Sequence, residues 1–196
     1  VDSARTGTGP GEPAPHLTID AWLAGTSVRH EPGPLRFLLL FASGYALLYW
    51  AYWQVPDAVL RDSLYPIAIL GPCAALVNLL FPAEAVTVAS GMLQSPRASL
   101  EVVRGCDGSG MLFLIVAAIM AFPSAWRARM AGLCGALLLV HALNTARIML
   151  LYFAAAYRES WFLPLHTYLV PTLFVLGGGL YFAWWAARQQ RPAAGA

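Results

Sequence analysis

The chain has 196 residues, 59% hydrophobic and only 11% charged, with a net charge of +2 and a mean hydropathy of +0.61. Globular domains carry about 25% charged residues, so this composition excludes an ordinary water-soluble fold. All 12 basic residues are arginine and none form a block, which gives no footing to nucleic acid as a partner.

What is left is an integral membrane protein of one domain. A helical span takes about 20 apolar residues, so the expected fold is an all-α bundle of four or five transmembrane helices. Residues 1–34 are rich in glycine and proline and poor in large apolar groups, which predicts a flexible cytoplasmic tail. Residues 35–53 form a first span that runs outward from Arg29 and Arg36 to an aromatic belt of Tyr45, Tyr49, Trp50, Tyr52 and Trp53. Residues 64–81 are apolar but interrupted by Pro66, Gly71, Pro72 and Asn78. That pattern fits a helix lying in the membrane interface or a fifth span.

The character then changes. Val86-Thr87-Val88, Gly91, Ser95-Pro96 and Leu100-Glu101-Val102-Val103 predict a small β-hairpin, which belongs outside the bilayer because lipid cannot satisfy unpaired strands. A span follows over 111–122, stopped by Pro123, with Trp126, Arg127 and Arg129 marking the cytoplasmic side. Residues 131–156 return outward to Tyr152 and Tyr157, and 166–187 descend to Trp184, Trp185, Arg188 and Arg191. Residues 188–196 are a short cytoplasmic tail. This topology brings Cys106, Arg147 and His166 to the outer, extracytoplasmic face.

Those three side chains are the candidate chemistry. Cys106 precedes a helix starting near Gly108, where free backbone N–H groups and the positive end of the helix dipole favour an anion. Arg104 adds to that field and Asp107, a candidate cap, opposes it. A lone cysteine is more often a packing residue, as expected for Cys134, but the setting of Cys106 is polar and flanked by glycine. Arg147 lies about 24 Å along its helix, close to the outer boundary. It either serves a function there or snorkels to the headgroups; Asn144, one turn earlier, offers an amide to orient it. His166 opens the last helix and has the chemistry of a general acid and base. His141 lies about 9 Å deeper than Arg147 and reads as a packing residue. Arg97 and Arg104 are candidates for an acidic group on a substrate, or else solvated hairpin charges. The cysteines Cys73, Cys106 and Cys134 have no metal-site or disulfide spacing, so no metal and no cofactor are expected.

Taken together, Leu100-Glu101-Val102-Val103-Arg104-Gly105-Cys106-Asp107-Gly108, then Asn144-Thr145-Ala146-Arg147-Ile148, then His166 resemble the three motifs of the exosortase and archaeosortase family, in the same order. The resemblance covers residues 35–187 and is greatest to the short members of the family. It implies a membrane cysteine transpeptidase in the bacterial cytoplasmic membrane, with its site facing the periplasm. Such an enzyme cleaves C-terminal sorting signals of the PEP-CTERM kind from exported proteins and hands them to a glycan or lipid acceptor. It implies Cys106 as nucleophile, Arg147 as oxyanion stabiliser and His166 as acid-base. Asp107 departs from the small or amide residue common after the family's cysteine. The competing reading is a non-catalytic membrane scaffold or assembly factor for surface polysaccharide or protein export, in which Cys106 packs and Arg147 snorkels.

Overall fold

The computed structural model describes residues 33–190. The tails expected at 1–34 and 188–196 lie outside the described residues except at their inner edges: Pro34 already opens a helix and Arg188 still belongs to one. Five helices and a small sheet make up the described chain. These are α1 (Pro34–Trp53), α2 (Asp57–Leu80), strands β1 (Thr87–Ala89), β2 (Met92–Gln94) and β3 (Ser99–Glu101), α3 (Ser109–Ala121), α4 (Trp126–Tyr157) and α5 (Glu159–Gln190). α1, α2, α4 and α5 are long and apolar enough to cross a membrane, and α3 is apolar but shorter. The protein is an all-α membrane protein with a minor β element.

Two separate cores order these elements. In the first, Ile115 and Ile119 of α3 pack with Ala136 and Val140 of α4 and Trp185 and Ala186 of α5. Phe37 of α1 stacks on Phe182 at 6.4 Å, and the Trp185 indole N–H donates to the Ala128 carbonyl at 3.1 Å. The end of the bundle where α1 and α4 begin and α5 finishes therefore collects Arg36, Arg127, Arg129 and Arg188.

The second core lies towards the opposite end. Leu60, Tyr65, Leu70, Cys73 and Val77 of α2 pack against Val86, Leu93 and Val102 of the sheet region and Ile148 and Tyr152 of α4. Tyr65, early in α2, reaches Asp107, and Phe81, just past its end, meets Phe153 edge-on at 4.9 Å. Both ends of α2 thus contact the half of the molecule that holds Cys106. Length alone would make α2 a span and α3 not; packing places α3 among α1, α4 and α5 and lays α2 beside the sheet.

The sheet is a three-stranded antiparallel meander, not the single hairpin expected. Ala89 pairs with Met92 and Gln94 with Ser99. The extra strand comes from a two-residue turn at Ser90-Gly91, both at positive φ (51° and 72°), the geometry that matches strand twist. Gly91 is obligatory for a second reason: a Cβ there would lie 2.5 Å from Arg61 Cγ.

α2 and α5 each contain widened, π-helical turns: Leu60–Leu64, Pro66–Leu70 and Leu165–Leu169. Each is followed by a residue whose N–H bonds five positions back, and then by a proline, Pro66, Pro72 or Pro171. A proline has no N–H to give and its ring crowds the carbonyl four residues earlier. The looser turn relieves that crowding.

Candidate active site

The segment after β3 is held from both sides before it reaches the thiol. Val102 is buried in the second core. The Arg104 guanidinium bonds the Tyr52 carbonyl at 2.7 Å, the Val55 carbonyl at 2.5 Å and Asp57 at 2.7 Å, and lies over the Tyr52 and Trp53 rings. It thereby caps a carbonyl in the last turn of α1 and one in the link that follows. This cation was expected to bias Cys106 or meet a substrate; its hydrogen bonds go to α1 and Asp57 instead.

The Cys106 N–H then closes a turn on the Val103 carbonyl at 2.9 Å. Asp107 anchors the next residue on three elements. One carboxylate oxygen accepts from the Ser109 N–H (3.2 Å) and hydroxyl (2.8 Å), which holds the first turn of α3, and the other accepts from the hydroxyls of Tyr52 on α1 and Tyr65 on α2. The N-cap position expected for Asp107 is taken by Gly108; Asp107 bonds the Ser109 N–H from one residue earlier and has two tyrosine partners that sequence spacing did not announce. Ser109, bound to this carboxylate, forms part of the support.

Gly108 completes the handover. Its φ of +84° suits glycine alone among ordinary residues, and a Cβ there would lie 3.3 Å from both Val140 Cγ1 and Asn144 Cγ. The backbone beside the thiol therefore rests directly on α4.

The half-buried Cys106 Sγ lies 4.0 Å from Nε2 of His166, a residue 60 positions later in the chain. The imidazole lies nearly parallel to the Phe162 ring, 5° between planes with centroids 5.8 Å apart, and its Nδ1 is buried with no partner among the described residues. Arg147, one turn beyond Asn144 on α4, is half-buried with its guanidinium 5.6 Å from the Phe174 ring centroid of α5. No hydrogen bond or ion pair engages it among the described residues. Asn144 is 4% exposed, and its Oδ1 likewise has no partner among them. Its observed contact is with Gly108, and no hydrogen bond links it to Arg147. A thiol next to an imidazole, with an uncommitted guanidinium and amide on the helix beneath, can support nucleophilic attack and proton transfer.

The remaining candidates fall outside this cluster. Arg97 bonds Glu84 at 2.8 Å and lies over Tyr157. Glu84 is itself buried, accepting from Tyr152 (2.7 Å) and from Tyr157. These bonds, Tyr157's first, then Tyr152's, together with the Arg97 charge, hold the Glu84 carboxyl below its ordinary range despite burial. This knot fastens the sheet to α4. Cys73 is fully buried, whereas Cys134 is exposed on the outside of α4 rather than packed as expected. His141 is also exposed. Sequence periodicity could not place these on α4, because apolar residues face lipid and core alike.

The fold and this cluster define a multi-pass membrane protein with a cysteine and a histidine paired at one end of its bundle. The family model for transmembrane exosortases matches residues 85–183, a stretch containing Cys106, Arg147 and His166. The chain belongs to the transmembrane exosortase family. No curated protein and no solved structure matches it.

Proposed function

We propose that the chain is a cysteine transpeptidase or endopeptidase that removes C-terminal sorting signals of the PEP-CTERM kind from exported proteins. The arginine-rich end of the bundle faces the cytoplasm by the usual charge rule, and the Cys106 end faces the periplasm of a bacterial inner membrane. The observation that carries the reading is the 4.0 Å approach of Cys106 Sγ to His166 Nε2 inside the segment matched by the family model. Catalytic contacts commonly stand long before substrate binds.

In the proposed reaction the thiol proton passes to His166 as sulfur attacks the scissile carbonyl, forming a C–S bond. Arg147 donates to the resulting oxyanion. His166 returns the proton to the amine as the C–N bond breaks, leaving a thioester on Cys106. An acceptor amine or hydroxyl, on a glycan or lipid, or else water, then attacks with His166 as base and regenerates the thiol. Asn144 and Asp107 support the site, the first beneath Gly108 and the second through the tyrosines.

The test is co-expression with an exported reporter that carries such a signal. Cys106→Ala should abolish processing while the protein accumulates normally in the membrane. Undiminished processing by that variant would rule the reading out.

A further inference from the structure

The imidazole of His166 lacks the usual means of orientation. A working histidine is ordinarily aimed by a hydrogen bond from its second nitrogen, yet Nδ1 is buried without a partner among the described residues. Its direction must come from the backbone that carries it and from the ring stacked on it. That backbone is the widened turn Leu165–Leu169, in which the Val170 N–H bonds the Leu165 carbonyl five residues back. The same device occurs twice in α2, each time directly before a proline. A proline follows the widened turn in all three cases, and for the turn that bears His166 it is Pro171; Pro164, earlier in the same helix, follows an ordinary α turn.

We infer that Pro171 is a positioning residue for His166: by denying α5 an N–H and crowding the Thr167 carbonyl, it enforces the widened turn that points the imidazole at Cys106. Accommodating one extra residue in a turn offsets the two sides of the helix by one position, about 100° of arc at 3.6 residues per turn. A regular helix would therefore swing His166 well away from the sulfur. Phe162 fixes the remaining ring rotation by parallel stacking. Pro171 is exposed, so its side chain contributes no core packing and its effect passes through the backbone. This inference rests on the proposed pairing of Cys106 with His166.

The experiment measures the rate of alkylation of Cys106 across pH, in the full chain in detergent or nanodiscs with Cys73 and Cys134 replaced by Ala. The variants are His166→Ala, Pro171→Ala and Leu173→Ala, the last removing a neighbouring exposed side chain without restoring an N–H. With His166 as the base that serves the Cys106 thiol, His166→Ala should slow alkylation at pH 7 by about tenfold. Pro171→Ala should show the same loss and the same altered pH profile while melting no lower than the parent, since it regains a helical hydrogen bond. Leu173→Ala should behave as the parent. If His166→Ala slows alkylation and Pro171→Ala does not, the positioning role is wrong and the pairing stands. If His166→Ala leaves the profile unchanged, the pairing and the inference fall together.

Discussion

The backbone of Gly108 rests on the side chain of Asn144, so closely that a Cβ would come within 3.3 Å of the amide carbon and the neighbours would have to give by a few tenths of an ångström. This contact joins the first and second of the segments that resemble the family's motifs, because Gly108 lies two residues after the thiol and Asn144 one turn before Arg147. It makes the loop and α4 a single support for the site.

Gly108→Ala should therefore damage function beyond its effect on stability. The positive φ costs about 1–3 kcal/mol for a residue with a Cβ, and the crowding against Val140 and Asn144 lifts the loop off α4. A thermal melt should show the destabilisation, and the distance between spin labels on Cys106 and α4 should lengthen. An unchanged distance would mean the loop is held by Asp107 alone.

The Asp107 anchor predicts an ordered series. Tyr65→Phe removes one of two tyrosine donors and should cost about 0.5–1.5 kcal/mol, and Asp107→Ala, which leaves the Tyr52 and Tyr65 hydroxyls only each other and frees the first turn of α3, about 1–3 kcal/mol. Denaturant titration in detergent measures both. If Tyr65→Phe proves the costlier, the carboxylate is not the hub.

Arg147 should act in the transition state rather than in folding. Its guanidinium makes no hydrogen bond to the described residues, so Arg147→Ala should leave the melting temperature nearly unchanged while lowering the processing rate by about 10²- to 10³-fold. Lysine keeps the charge but loses the planar fork, so Arg147→Lys should fall between. Equal processing by all three would leave the arginine as a lipid anchor only.

Glu84 predicts an acid-sensitive outer sheet. Its folded carboxyl titrates below the unfolded one, so the network stabilises the sheet at pH values above the unfolded carboxylate range and loses that contribution as pH falls through the folded value. Hydrogen exchange over residues 87–101 should accelerate at that acidic step, and Glu84→Gln should exchange faster at neutral pH with the step removed. A step that survives the substitution would belong to another group.

The sequence alone determined the class of protein, the four apolar segments that pack as α1, α3, α4 and the body of α5, whose start at Glu159 rather than His166 it missed, the residues flanking the thiol and the resemblance to the family's motifs. These are written in composition, in runs of apolar residues and in short-range spacing, all of which act within a few turns of chain. It also marked the prolines of α2 and α5, though only as interruptions. Tertiary structure alone decided that β2 exists, that Arg104 caps α1, that Asp107 is held by Tyr52 and Tyr65, and that His166 meets Cys106 across 60 residues. Those contacts join side chains distant in sequence. In a chain whose helices are apolar on every side, no periodicity records which face will meet which, so only packing could select them.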